Sequence, residues 1–227
     1  MWAIIKKEFK SYFLSPIGYI YIGIFLFITS LLFLVETFYV GSVEFNYMYS
    51  WTSLVITFTV PILTMRMFAE EKKTGTDQLL LTSPRSVTQI VLGKYLAACA
   101  VVLVTMLMQF GYFIILTFFG EPQMASFLVS LLGITLISMA YIAFGMFASS
   151  ITESQIIAAV ISFVVFFIML FIPSTNNVVG SLSLSAALSN SFLIGTIVLK
   201  DLVSMITFSI VFILFTIIAI QRRKGSK

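Results

Sequence analysis

An all-α integral membrane bundle of six spans is the fold class this chain predicts, and three observations carry it. The residues are 60% hydrophobic and only 10% charged, against roughly 25% charged in an ordinary soluble domain. Apolar runs recur at lengths near the roughly 20 residues that a helix needs to cross a hydrocarbon core of about 30 Å. The runs are continuous and do not alternate, which suits helices with internally paired backbones and not barrel strands.

The runs cover 17–38, 51–68, 95–119, 127–149, 156–172 and 202–220, the fifth being the shortest. The first is too long for a signal-peptide core and lacks a small-residue cleavage site after it, so it is expected to stay as a helix. Ahead of it, in 1–15, Trp2, Ile5, Phe9, Tyr12 and Phe13 recur at helical spacing while Lys6, Lys7 and Lys10 take other faces. That pattern predicts an interfacial helix lying on the membrane surface. Ser15-Pro16 then breaks it, because a residue before proline is pushed out of the α region.

Short connections join the later spans: Gly120-Glu121-Pro122 between the third and fourth, and 150–154 between the fourth and fifth. The longer loop 173–199 is rich in Ser, Asn and Gly at its start. Leu182, Leu184, Leu188, Phe192 and Ile194 make its second half amphipathic, so short helices are expected there. No soluble domain and no convincing internal repeat interrupts this order, and the whole chain, 1–227, reads as one transmembrane domain. Pro61 in the second span has no counterpart in the fifth, which counts against the inverted repeats of many secondary transporters.

Charge sets the expected orientation. Twelve of the thirteen basic residues flank one side, and only Lys200 falls on the other. The positive-inside rule makes the basic side cytoplasmic, and an even number of spans puts both termini there. The net charge of +4 is thereby explained by topology, and no continuous basic stripe calls for a nucleic-acid partner.

The densest charged run, 69–94, lies between the second and third spans. Glu70, Glu71, Lys72 and Lys73 are expected to carry the second span into water, and Thr74-Gly75-Thr76 to end that helix and cap a new one. Asp77 would sit in the first turn of this short helix, favoured by its dipole. Leu79, Leu80 and Leu81 follow, and Pro84 must end it. Ser86-Val87-Thr88-Gln89 matches a capping box for the third span, with Arg85 and Lys94 expected to reach toward lipid head groups. A short helix with three leucines, held between two rigid spans, suits docking into a groove of a cytoplasmic partner.

The chain has no histidine and a single cysteine, Cys99, inside a span. Histidine-based catalysis, an intrachain disulfide and a cysteine-rich metal site are excluded. Gly93-Lys94 fails the phosphate-loop pattern, since position 88 is Thr and position 95 is Tyr. No cofactor is therefore expected on this chain, and nucleotide energy must come from another one. Ser53, Thr57 and Thr64 share one region of the second span, and Ser138, Tyr141, Gly145 and Ser149 form a small and polar face on the fourth. Both faces are expected to serve helix packing. Gln109, in mid-span, needs an internal partner.

The run from Met65 to Pro84, with Gly93-Lys94, resembles the signature of ABC-2 type permeases, close to the gliding-motility-associated branch. Lys7-Glu8-Phe9 with Ser15-Pro16, Phe147 to Gln155 with Ala158, and Phe192-Leu-Ile-Gly195-Thr-Ile197 with Asp201 resemble the same family in the same order. The resemblance implies a six-helix subunit in a bacterial inner membrane that dimerises with an identical or related permease. It also implies two copies of a separate ATPase, which would hold ATP and Mg, and leaves room for an extracytoplasmic accessory subunit. Glu70, Glu71, Gly75 and Thr76 carry over onto the family's E-E-x-x-x-G-T pattern, and the helix around Thr76 to Thr82 onto its coupling helix. It further implies that Ser53, Thr57 and Ser162 are candidates to line the route between subunits. Many relatives carry a histidine before the Phe-x-x-Gly segment; here the stretch is Ser185 to Ser191 and has none. The resemblance points to an exporter, while the loop alone would equally suit a non-transporting scaffold that recruits a cytoplasmic partner.

Overall fold

The computed structural model describes residues 2–41, 45–76, 86–171 and 184–225, and every regular element among them is helical. An amphipathic helix α1, Trp2–Leu14, is followed at Pro16 by α2, Pro16–Leu34, which ends in a π-helical stretch, Val35–Val40. Ser15 sits in an extended conformation between them, as the proline requires. Gly41 closes this arm in the left-handed region, at φ 68°. The buried Glu36 carboxylate accepts from the Met48 N–H at 2.8 Å, satisfying one exposed donor at the start of α3, Asn46–Thr64.

The second span does not run on unbroken. It stops at Thr64, turns through 65–68, and resumes as α4, Ala69–Lys73. Next come α5, Val87–Met108, and α6, Phe110–Leu116, separated at Gln109. Ser86 caps α5, its hydroxyl accepting from Gln89 N–H at 3.4 Å, which is half of the expected capping box. The long helix α7, Met124–Ile151, leads by a short turn into α8, Gln155–Phe171. The chain closes with α9, Leu184–Asn190, a single 3-10 turn Phe192–Ile194, and α10, Leu199–Gly225.

Among the described residues, five helical stretches are long and apolar enough to cross a membrane: Pro16–Tyr39, Met48–Lys73, Val87–Leu116, Met124–Ile151 and Leu199–Arg223. Where the fifth span is expected, the described residues hold the shorter apolar helix α8, whose 17 residues cover about 25 Å at 1.5 Å per residue. The expected helices of the outer connection are found as α9 and the 3-10 turn; residues 172–183 lie outside the described residues.

Helix α7 is the hub. It packs on α3, α5, α8 and α10, and its C-terminal half from Ile137 to Ser150 is almost wholly buried. The expected packing face of Ser138, Tyr141, Gly145 and Ser149 lies within that half. Gly145 meets α3 so closely that a Cβ there would stand 2.2 Å from Thr64 Oγ1. On the N-terminal half, a Cβ on Gly133 would strike the Phe192 ring, and Ser130 Oγ donates to Phe192 O at 3.1 Å, which seats the 3-10 turn on α7. Gln109 is fully buried, yet neither of its amide atoms has a hydrogen-bond partner among the described residues.

Candidate functional site

One end of the bundle gathers α1, α4, the first turns of α5 and the last turns of α7, and it carries most of the described ionic contacts. The amphipathic pattern of α1 sets it against α5, with Ile4 lying over Gly93; a Cβ on Gly93 would come within 2.7 Å of Ile4 Cγ2. A bare backbone at this point lets α1 lie flush, and it brings Glu8 over Lys94.

Lys94 is the centre of the cluster. The expectation that it reaches outward to head groups is corrected by its side chain, which is only 4% exposed. Its ammonium lies 3.2 Å from Glu8 Oε2 on α1 and 2.7 Å from Glu71 Oε1 on α4. It also stands over the Phe68 ring, 5.3 Å from the centroid, a placement that adds cation–π attraction. Two carboxylates and a ring face replace the water that a buried ammonium loses, which is why the inward position is tolerated. One positive charge thus joins three separate segments.

The same end holds a second junction, made by Ser149. Its hydroxyl oxygen accepts from the N–H groups of Phe68 and Ala69, both at 3.0 Å, and it donates to Met65 O at 3.1 Å. One donor and two acceptor sites are all a serine hydroxyl has, and all are used on the turn that interrupts the second span. Lys72 Nζ donates to Ser150 O next door, at the last turn of α7, where a cation favours the helix dipole. Arg66 Nε pairs with Glu70 Oε2 at 2.6 Å along the same stretch. Arg223 on α10 reaches Glu153 at 3.1 Å.

Between α1 and α4 these groups border a cavity of about 260 Å³, lined by Lys7, Glu8, Ser11, Tyr12 and Ser15 on one side, by Arg66, Met67, Glu70, Glu71, Thr74 and Thr76 on the other, and by Lys94. Burial first, then the charge of Glu8, holds the Tyr12 phenol well above its ordinary range, so it remains neutral. Gly75 turns the chain at φ 72°, a conformation that favours glycine. Thr74 and Thr76 share a hydroxyl–hydroxyl hydrogen bond of 2.9 Å and return bonds to the last carbonyls of α4.

Of the expected coupling residues, Glu70, Glu71, Gly75 and Thr76 therefore converge here. Asp77, Leu79, Leu80 and Pro84 lie outside the described residues. The path-lining candidates lie elsewhere: Ser53, Thr57 and Ser162 are buried, and the hydroxyls of Thr57 and Ser162 donate to the carbonyls of Ser53 and Ala158, four residues earlier on their own helices. Sequence reasoning named Glu8 only within a family-like run and foresaw neither its pairing with Lys94 nor the inward turn of that lysine; the visible signal was one acidic residue inside an otherwise basic amphipathic helix. Ser149 was read as packing, and its role as an acceptor for two backbone donors was not foreseen.

The sequence profile described as ABC-2 family transporter protein matches residues 39–192, more than half of the chain and the whole of the junction except α1. The chain belongs to the ABC-2 transporter family. No curated protein matches it. As an ABC-2 family member with five helices able to cross a bilayer, it is a multi-pass membrane protein and a transport permease, a class that generally pairs with an ABC ATPase.

Proposed function

We propose that this chain is the permease subunit of an ATP-binding-cassette exporter in a bacterial inner membrane, with both termini cytoplasmic, close to the gliding-motility-associated branch of its family. Two copies of a separate ATPase hold ATP and Mg and dock on segment 69–94, whose short leucine-bearing helix acts as the coupling helix. They drive a dimer of permeases, and the arrangement leaves room for an extracytoplasmic accessory subunit. Ser53 and Thr57 on α3 and Ser162 on α8 border the route, as the family resemblance implies for these two helices.

One observation carries this reading: Lys94 joins α1, α4 and α5 immediately beside the segment that would receive the ATPase. A force applied beyond Gly75 reaches α4 directly. From there it passes to α1 and α5 through Lys94 and to α7 through Ser149. A loop that only set topology would need neither junction.

Replacing Leu79 and Leu80 with Asp tests the docking. The expected result is loss of copurification with the ATPase and of ATPase stimulation, with membrane insertion intact. Undiminished assembly would overturn the coupling assignment. Vesicles containing permease and ATPase distinguish a transporter from a scaffold: ATP-dependent movement of solute is expected here, and its absence in a correctly assembled complex would favour the scaffold.

A further inference from the structure

The cavity beside Lys94 is more than a gap in the junction. We propose that it binds the head group of a phospholipid bearing a primary amine, with the phosphate on the α1 side and the ammonium between the carboxylates. The proposal rests on the orientation given above, which places this end at the inner head-group layer, but not on ATPase docking.

The walls carry Lys7, Arg66 and Lys94 against Glu8, Glu70 and Glu71, a formally neutral set of both signs. A lining of that kind favours a ligand with separated charges over a net anion or cation, because each end meets its complement. Part of the lining is already used: Lys94 holds Glu8 Oε2 and Glu71 Oε1, and Arg66 holds Glu70 Oε2. Oε1 of Glu8 and of Glu70 keep acceptor capacity, and Lys7 and Ser11 are exposed, with no ion pair to Lys7 among the described residues. A primary ammonium can donate three hydrogen bonds and so engage both carboxylates. A quaternary ammonium has no N–H to donate and is disfavoured. Phosphate oxygens suit the Lys7 ammonium and the Ser11 hydroxyl.

The depth of the site fits a lipid. Helix α1 leaves Trp2 76% and Leu14 86% exposed at its two ends, and an amphipathic helix of this kind lies in the interface with its apolar side chains at the acyl boundary. The volume of about 260 Å³ suits a head group and is not lined by an apolar channel for a chain, so the acyl chains would stay in the bilayer.

The test uses the purified full chain alone, in mild detergent, by native mass spectrometry. Phosphatidylethanolamine, phosphatidylcholine and phosphatidylglycerol with identical acyl chains are titrated in parallel, with free glycerophosphoethanolamine as competitor. Preferential retention of phosphatidylethanolamine is expected, displaced by the free head-group compound. Lys7→Gln and Glu70→Gln, both on accessible positions, should each weaken that retention about two- to fivefold, the scale of a partly exposed charge contact. Equal retention of phosphatidylethanolamine and phosphatidylcholine, or tighter retention of phosphatidylglycerol, overturns the proposal. So does retention that neither variant nor competitor alters, which would assign it to acyl-chain contacts. No ATPase is present, so this result and the copurification result stand or fall separately.

Discussion

Lys94 Nζ lies 2.7 Å from Glu71 Oε1, across 23 residues of chain, and holds the first turns of α5 against α4. Glu8, 86 residues away, closes the same ammonium from α1 at 3.2 Å. Removing the shared cation would leave two carboxylates facing each other at a largely buried site.

Lys94→Met is accordingly expected to lower permease stability by about 3–5 kcal/mol, the usual cost of breaking a buried pair from one side. Thermal unfolding in detergent measures it. Glu8→Gln, which leaves the Glu71 contact in place, should cost clearly less. Equal losses for the two would argue that α1 and α4 do not share Lys94 as an ionic partner.

Ser149→Ala strips the acceptor from the Phe68 and Ala69 N–H groups. Each buried donor left unpaired costs about 1–3 kcal/mol, so a lower unfolding temperature is expected, together with faster amide exchange confined to 65–69. Unchanged exchange at those amides would mean that the turn is held by other contacts.

Gly145→Ala places a methyl group 2.2 Å from Thr64 Oγ1. Overpacking of about 1–3 kcal/mol is expected, and Thr64→Ala should recover part of it in the double variant. A purely additive pair would deny that these two residues meet.

Gly75→Ala tests the turn that follows α4. With φ at 72° and open space around it, the cost is conformational alone, about 1 kcal/mol. On the coupling reading, ATPase stimulation should fall by more than the small change in unfolding temperature suggests. Stimulation that merely tracks stability would make Gly75 a structural glycine only.

Helix positions, the polar interruption near 69–94 and the basic end of the bundle were all legible along the chain. Each reflects a local requirement: a segment of about 20 residues is apolar enough to cross or it is not, and a capping serine such as Ser86 acts within one turn. The junction was half legible, because the motif marked Glu70 and Glu71 but said nothing of which cation each would face, Arg66 for the first and Lys94 for the second. Local pattern also overstated the second span, which hydropathy reads as continuous and which breaks at 65–68.

By itself the sequence determined that this is a helical membrane protein with one charged end and no residues for histidine or disulfide chemistry. Tertiary structure alone decided that Lys94 turns inward, that Ser149 completes a broken helix 81 residues away in sequence, and that Gly145 admits Thr64. The physical reason is the range of the forces involved. Burial in lipid is settled segment by segment, whereas the partner of a buried charge or an unpaired N–H is whatever group the packing of distant helices brings within about 3 Å.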